Sequence, residues 1–313
     1  MNILITGVSG FLGSKLYRKI PGRITGIGRN HLEEFDGPFY IKVMGQYVDY
    51  SVCLANQNIV IHCAARVHVM SDESLDPLLS FREVNTAGTL NLARQAAKAG
   101  VRRFIFISSI KVNGESTENN TRFSSRDKYK PEDPYGISKA EAEEGLLEIA
   151  KETGMDVVII RPTLVYGSGV RGNFLNLLKL SKLPIPLPFG LINNKRSMVY
   201  LDNLVDLIVT CIDHPNAANR VFLASDGDDL SLSRLLIIIR KAMHKSPLLL
   251  PVPMGLFRLL GKLLGKSEVV DRLIGDLQVD SSDAKKYLDW SAPYSVEQGI
   301  KATVDDFLNK SAR

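Results

Sequence analysis

Cysteine is scarce in this sequence. Only three of the 313 residues are cysteines, Cys53, Cys63 and Cys211, and none of them forms a pair with CxxC spacing. A disulfide framework and a structural zinc site both depend on paired cysteines at short, regular spacings. We therefore predict neither a disulfide nor a metal site, and we expect the three thiols to be small buried side chains.

Concentrated charge of one sign is also missing. The 39 basic and 34 acidic residues are spread along the chain, without a block of about five or six like charges. A nucleic-acid-binding surface requires Lys and Arg clustered along one stripe, so no nucleic-acid partner is predicted. The net charge of +5 is compatible with an anionic ligand.

Long apolar runs are absent as well. No run approaches the ~18 residues of a membrane-spanning helix, and Met1 leads directly into an apparent strand, which leaves no space for a signal peptide. These features predict a cytoplasmic protein without integral membrane association. The most apolar helix candidate, Met254 to Lys266, carries Arg258 and Lys262 on one side. We expect it to pack on the core, with reversible membrane contact as the alternative.

Short β-branched runs alternate with longer helical patterns over the first half of the chain, which predicts βαβ units. The strand candidates are residues 2–6, 24–28, 59–64, 104–108 and 157–161, and the helix candidates are residues 13–20, 81–99 and 133–153. Beyond Tyr166, Gly-rich and Pro-rich stretches interrupt shorter elements. We predict an α/β fold with a Rossmann-type, doubly wound parallel sheet and a smaller, interleaved C-terminal substrate domain. The Rossmann domain is assigned residues 1–166, with 197–224 returning to it, and the substrate domain mainly 167–196 and 225–313.

A glycine-rich turn, TGVSGFLG at residues 6–13, lies between the first strand candidate and the first helix candidate. Gly7 permits the tight turn, Gly10 lets the backbone approach a pyrophosphate, and Gly13 allows the helix to pack closely on the strand. The diphosphate would lie at the helix N-terminus, where unpaired N–H groups favour negative charge. A dinucleotide cofactor is therefore predicted. Its predicted contacts in this turn are Gly7, Ser9, Gly10, Phe11, Leu12 and Gly13.

The end of the second strand bears on the choice of cofactor. An acid there usually holds the ribose hydroxyls and repels a 2′-phosphate, but this chain has the acid-free sequence GIGRN at residues 26–30. Arg29 can instead pair with the phosphate of NADP, because a guanidinium suits that task. NADP(H) is therefore favoured, with NAD(H) as the alternative.

A tyrosine and a lysine open the helix candidate at 133–153. The sequence PYGISK at residues 134–139 places Tyr135 and Lys139 four residues apart, on one helix face. A free phenol has a pKa of about 10, and a neighbouring ammonium, helped by a cationic nicotinamide, favours the phenolate. Ser108 and Ser109 follow the fourth strand, at the carboxyl edge where open parallel sheets bind ligands. A hydroxyl there would hold a substrate oxygen beside the phenol.

These motifs make the sequence similar to the extended short-chain dehydrogenase/reductases, the group of sugar-nucleotide epimerases, dehydratases and reductases. The resemblance covers nearly the whole chain. It rests on the turn at 6–13, VIHCAA at 60–65, NTAGT at 85–89, the two serines, the tyrosine with its lysine, and RPTLVYG at 161–167. It implies that Ser109 is the catalytic serine, Tyr135 the acid-base and Lys139 the activating residue. Further implied cofactor contacts are Ala64, Ala65, Asn85, Ser108 and Pro162, together with Tyr135 and Lys139.

The resemblance also implies a UDP-sugar partner bound by the second domain. Asn173 would meet the nucleotide, and Phe189 would stack on uracil. Arg196 and Arg272 would clamp the diphosphate, for which a guanidinium offers a rigid fork of donors. A homodimer formed through the two long helices is common in the family.

The reaction is predicted from finer similarities. ARVHVM at 65–70 and SIKVNGE at 109–115 resemble the subgroup that contains 4-keto-6-deoxy-sugar reductases of surface-polysaccharide synthesis, and the same subgroup carries UDP-glucose 4-epimerases. Arg66 and His68 are candidate sugar contacts. Because Arg29 favours NADPH, we expect reduction of the C4 ketone of a UDP-4-keto-6-deoxy-N-acetylhexosamine, giving a UDP-N-acetylquinovosamine-type product. A UDP-hexose 4-epimerase with tightly bound NAD is the alternative, and a non-catalytic dinucleotide-binding module ranks below both.

A dehydratase ranks below the reductase and the epimerase. Water loss requires an acid-base pair, commonly Asp-Glu, beside the serine, whereas Ile110 and Lys111 follow Ser109 in this chain.

Overall fold

The protein is described by a computed structural model that covers residues 1–67, 76–118, 121–265 and 267–311. Seven of its strands are β1 Asn2–Thr6, β2 Arg23–Gly28, β3 Phe39–Ile41, β4 Ile59–His62, β5 Arg103–Ile107, β6 Asp156–Pro162 and β9 Arg220–Ala224. They form one parallel sheet in the order β3-β2-β1-β4-β5-β6-β9. Strands β7 Leu164–Tyr166 and β8 Met198–Tyr200 form a separate parallel pair.

Helices cover both faces of the large sheet. Residues of α1 Phe11–Lys19, α7 Leu201–Asp213 and α11 Ser282–Leu288 share one apolar cluster with Ile105 and Ile107 of β5. Residues of α2 Ser51–Leu54, α4 Gly88–Lys98 and α5 Pro134–Thr153 share a second cluster with Phe104 and Phe106 of the same strand. Side chains alternate between the faces of a strand, so a strand buried on both faces is continuously apolar. The predicted Rossmann-type doubly wound fold is confirmed.

The remaining helices pack around two further apolar clusters. Helices α6 Gly172–Lys182, α8 Leu232–Ala242 and α12 Val296–Ser311 share one of them with β7 and β8. Helices α9 Met254–Leu263 and α10 Ser267–Ile274 contribute to the other, which includes Leu187 and Phe189. Among the described residues, no helix is long and apolar enough to cross a membrane.

Several element boundaries differ from the predicted ones. The helix predicted over 81–99 is divided into α3 Pro77–Phe81, a π-helical turn Arg82–Ala87 and α4. Strand β3 was not predicted, because it has three partly exposed residues at the sheet edge. Of the segment 197–224, Arg220–Ala224 lies in the large sheet, whereas Met198–Tyr200 pairs with β7.

The cysteines are distributed nearly as expected. Cys53 and Cys211 are buried, as predicted, and Cys63, which follows β4, is partly exposed.

Candidate active site

The glycine-rich turn connects β1 to α1, and its backbone leaves no room for a side chain at Gly7 or Gly13. Gly7 has φ +68, and its N–H donates to the Ile27 carbonyl at 2.8 Å. A Cβ on Gly7 would lie 2.8 Å from the Ala64 backbone nitrogen, and one on Gly13 would lie 2.2 Å from the Gly7 carbonyl oxygen. Gly10 is extended and α1 begins at the next residue, where the first helical N–H groups have no intrahelical acceptor. This cradle suits a dinucleotide pyrophosphate.

The other predicted cofactor contacts lie at the carboxyl ends of neighbouring parallel strands. Arg29 is exposed directly after β2, and the hydroxyl of exposed Ser9 lies 3.1 Å from an ideal Cβ built on Gly28. Pro162 is the last residue of β6. The partly buried cofactor candidates are Phe11, Leu12, Ala64 and Ala65. Strand order therefore brings residues that are far apart in sequence to one sheet edge.

Asn85 links the loop after β4 to helix α5 through hydrogen bonds. It lies in the π-helical turn and is 1% exposed. Its Oδ1 accepts from the Arg66 N–H at 2.8 Å, and its Nδ2 donates to the Arg66 carbonyl and to the Ser138 hydroxyl, each at 3.0 Å. A π-helical turn widens the helix locally and is frequent at functional sites. These hydrogen bonds hold Asn85 between the loop after β4 and helix α5, and its contact with a cofactor stays a prediction.

Ser109, Tyr135 and Lys139 converge at the carboxyl end of β5. Asp133 caps α5 by accepting an N–H of its first turn at 2.7 Å, which fixes the turn that carries Tyr135. The Ser109 side chain lies close enough to the Tyr135 phenol to lower its pKa. Lys139 is 1% exposed, and its Nζ donates to the Ile107 carbonyl at 2.8 Å and lies 4.3 Å from the centroid of a Phe ring in β5.

Burial dominates the titration of the tyrosine and the lysine. It raises the pKa of Tyr135, which Asp133 raises further and the hydrogen bond with Ser109 lowers. Burial lowers the pKa of Lys139 to about 7, against the opposing influence of Cys63 and Glu143. We expected Lys139 to lower the pKa of Tyr135. The protein's described groups instead raise it, because burial removes the solvation of the phenol and Asp133 adds a negative charge nearby.

A buried ion pair, formed by Arg161 and Glu143, lies near Lys139. Arg161 of β6 donates from Nε and Nη2 to the Glu143 carboxylate at 3.0 and 2.6 Å, and from Nη1 to Asn113 at 2.9 Å. Ser108 donates to the same carboxylate. Glu143 is 0% exposed and Arg161 2%. The structure thus separates the two serines, since Ser108 binds this pair and Ser109 meets Tyr135.

The sequence analysis missed Glu143, although a signal was present. Tyr135, Lys139 and Glu143 follow one another at i, i+4 and i+8 of α5. A carboxylate on the buried face of a helix requires a cationic or hydrogen-bonding partner.

The two predicted diphosphate-binding arginines are adjacent. Arg196 donates from Nη1 to the main-chain carbonyls of Arg272 and Gly275, at 2.9 and 3.1 Å, at the C-terminal end of α10. Burial lowers the pKa of Arg196, whereas Glu115 and Asp276 raise it. The Arg272 side chain is exposed.

The other predicted substrate contacts have different environments. Asn173 is exposed in the first turn of α6. Phe189 is 9% exposed, and its ring stacks on Phe257 at 5.4 Å, so a uracil ring would have to meet its other face. The Arg66 guanidinium lies 5.5 Å from the centroid of the Phe81 ring, which itself packs edge to face against Tyr135. His68 lies outside the described residues.

Comparisons with known proteins agree with this architecture. The model of the NAD dependent epimerase/dehydratase family matches residues 3–224. The UDP-glucose 4-epimerase of Vibrio cholerae is 49% identical over 318 aligned positions, which cover 100% of this chain and 97% of that protein. The UDP-glucose 4-epimerase of Thermotoga maritima, solved with UDP-glucose, has a TM-score of 0.78 at 24% identity and is covered over 100% of both chains. The UDP-glucuronic acid 4-epimerase of Bacillus cereus, solved with NAD, has a TM-score of 0.80 at 21% identity, with 99% of both chains covered.

The fold and the family match define an enzyme of the extended short-chain dehydrogenase/reductase class. Within that class, the chain belongs to the NAD-dependent epimerase/dehydratase family. The family resemblance predicted from the motifs is therefore confirmed. The two solved structures support the fold of this chain.

Proposed function

We propose that this protein is a UDP-hexose 4-epimerase that retains NAD through its catalytic cycle. The observation that carries the proposal is the convergence of Ser109, Tyr135 and buried Lys139 at the carboxyl edge of β5, where the Lys139 Nζ donates to the Ile107 carbonyl. The 49% identity to the Vibrio cholerae UDP-glucose 4-epimerase over the whole chain supports epimerisation over reduction.

The dinucleotide would be held by the cradle between β1 and α1. The contacts that a Cβ would make at Gly7 and Gly13 support this assignment, because only glycine leaves the backbone room for the turn. NAD is the cofactor named for the family and bound in the Bacillus cereus enzyme. We propose NAD as the resident cofactor. If the protein also binds NADP, Arg29 would bind its 2′-phosphate, because Arg29 is exposed directly after β2.

The chain's own residues would move a proton at the sugar C4 oxygen. Tyr135 accepts the C4 hydroxyl proton as the ketone forms and returns it when the ketone is reduced, while Ser109 holds the oxygen. The chemistry that NAD would supply when bound is the reversible acceptance of the C4 hydride, which would allow its return to the opposite face of the sugar. Lys139 lies one helical turn from Tyr135, and in its protonated form it would favour the phenolate that the first step requires.

The nucleotide end of the substrate would lie in segments 167–196 and 225–313, which we propose as the substrate domain. Arg196 and Arg272 support a diphosphate site there, because the Arg196 guanidinium donates to the Arg272 main-chain carbonyl and the two residues are therefore close together. Asn173 would meet the nucleotide, and Arg66, next to Phe81 and Tyr135, would contact the sugar.

A second candidate is the NADPH-dependent reduction of a UDP-4-keto-6-deoxy-N-acetylhexosamine. Arg29, in place of an acid after β2, favours it. The two candidates differ in cofactor use, because a reductase consumes one reduced nicotinamide per product whereas an epimerase consumes none.

The test is turnover of UDP-glucose by the purified protein without added cofactor, followed by NMR of the sugar. We expect UDP-galactose to form, and Tyr135→Phe to lower kcat at least about a hundredfold while UDP binding persists. Tyr47→Phe is the matched control, because Tyr47 is 92% exposed, and it should keep full activity. Oxidation of NADPH by a 4-keto-6-deoxy sugar, without epimerisation, would establish the second candidate instead.

We also propose a homodimer whose interface is built from residues 81–99 and 133–153. The Leu90 side chain packs within 2.7 Å of an ideal Cβ on Gly145, which joins α4 and α5 into one face. Light scattering that gives the mass of a single chain at micromolar concentration would refute this assignment.

A further inference from the structure

Helix α9 exposes leucines on the side turned away from the core. Leu256, Leu259 and Leu263 are 46%, 54% and 73% exposed and occupy positions i, i+3 and i+7, which lie on one helix face. On the opposite side, Gly261 is buried and Phe257 stacks on Phe189. A helix at a protein surface normally turns charged residues to water. Helix α9 instead has an apolar stripe on both sides.

The segments packed against α9 expose further apolar side chains. Segment 183–191 is hydrogen-bonded to segment 248–250, since the Leu250 N–H donates to the Leu187 carbonyl at 2.8 Å and the Gly190 N–H to the Leu250 carbonyl at 2.9 Å. Of the twenty large apolar side chains exposed among the described residues, eleven lie between residues 183 and 269. The hydrogen bonds bring two of these segments together, and a contiguous exposed apolar patch marks an interaction surface. We call it the apolar face, and its members on these segments are Leu183, Ile185, Leu191, Leu248, Leu250, Leu256, Leu259 and Leu263.

The exposed charges on α9 itself are positive, although α10, which packs against it, carries the exposed Asp271. Residues 231–267 contain seven Lys or Arg and no Asp or Glu, and residues 157–201 also contain no acid. Arg258 and Lys262 are exposed one turn apart on α9, next to the leucine stripe. A second copy of this chain would bring like charges together, which disfavours self-association through this face. An anionic lipid surface offers both the apolar interior and the opposite charge.

We propose that the protein docks reversibly on an anionic lipid surface through the apolar face, with α9 lying in the plane of the interface. Leu256, Leu259 and Leu263 enter the boundary between headgroups and acyl chains, and Arg258 and Lys262 pair with lipid phosphates. Helix α10 follows α9 directly, and its C-terminal carbonyls bind Arg196. Docking therefore places the proposed diphosphate site beside the membrane. Lipid docking goes beyond the proposed function and does not depend on it, whereas the placement of the diphosphate site and the turnover control rest on that function.

The experiment is flotation of the full-length protein with two kinds of vesicle. One kind contains phosphatidylethanolamine with phosphatidylglycerol as the anionic component, and the other contains phosphatidylcholine alone. We expect the protein to float with the anionic vesicles only, and to be released as salt is raised, since screening weakens exposed charge attraction. Failure to float with the anionic vesicles at low salt would overturn the proposal.

Two variants assign the binding to the apolar face. The triple variant Leu256→Gln, Leu259→Gln and Leu263→Gln should lower partitioning more than about tenfold, and Arg258→Gln with Lys262→Gln should lower it by about tenfold or more.

Each variant has a matched control elsewhere on the surface. Val43→Gln with Tyr47→Gln changes two exposed apolar side chains, and Lys19→Gln with Lys301→Gln removes two exposed cations. Both controls should float like the parent, and turnover of soluble UDP-glucose should be unchanged in all four variants.

Two results would contradict the proposal. Equal flotation of the leucine variant and the parent would place lipid binding elsewhere on the molecule. Self-association that the leucine substitutions abolish, without vesicle binding by the parent, would show that a second copy covers the face.

Discussion

Removal of the Glu143 charge should destabilise the protein far more than removal of a neighbouring surface charge. Glu143 and Arg161 are 0% and 2% exposed, and the guanidinium makes its close contacts to the carboxylate at 2.6 and 3.0 Å. Glu143→Gln leaves the Arg161 charge buried without a counter-charge. Breaking a buried pair in this way costs about 3–5 kcal/mol.

Glu141 provides a matched control on the same helix. It also binds an arginine through two nitrogens, Arg82 Nε at 2.9 Å and Nη2 at 2.5 Å, but the two side chains are 31% and 46% exposed. Solvent screens such a pair, so Glu141→Gln should cost about 0–1 kcal/mol. Urea unfolding followed by Trp fluorescence measures both free energies of unfolding. A Glu143→Gln cost within about 1 kcal/mol of the control would refute the reasoning.

Three further predictions concern the cradle, the lysine and the diphosphate site. Gly13→Ala should abolish NAD binding in calorimetry, because the added Cβ would lie 2.2 Å from the Gly7 carbonyl oxygen. Burial lowers the Lys139 pKa from 10.5 to about 7, so between these values the unfolded chain binds a proton that the folded chain does not. The free energy of unfolding should therefore rise with pH there, by up to about 1.4 kcal/mol per unit, and Lys139→Met should remove the rise; equal pH dependence of the two proteins would contradict this. Arg196→Met should weaken UDP binding at least about tenfold in a titration, whereas unchanged affinity would move the diphosphate site elsewhere.

The sheet was predictable because its signals are local. Strand β1 has the predicted bounds, since it is a short apolar run that ends at the glycine-rich turn. The predicted helix over 81–99 missed the π-helical turn, because that turn is set by contacts distant in sequence. Asn85 turns inward to reach Arg66 and Ser138, and no local pattern encodes that pairing.

The candidate site shows the same division between local and distant information. Strand ends and i, i+4 spacing are sufficient to bring Ser109, Tyr135 and Lys139 together. Glu143 and Arg161 lie on different elements, 18 residues apart in sequence, so their pairing appears only once β6 is placed beside α5. The rise in the Tyr135 pKa likewise comes from burial, which spacing alone does not reveal.

The most direct test of the proposed epimerase follows the hydrogen on the sugar C4 atom. UDP-glucose carrying deuterium at C4 is incubated with the protein, without added nicotinamide, and the product is analysed by NMR. Hydride transfer to a retained cofactor and back predicts UDP-galactose that keeps its deuterium at C4. Loss of the deuterium to solvent, or no UDP-galactose at all, would contradict the account.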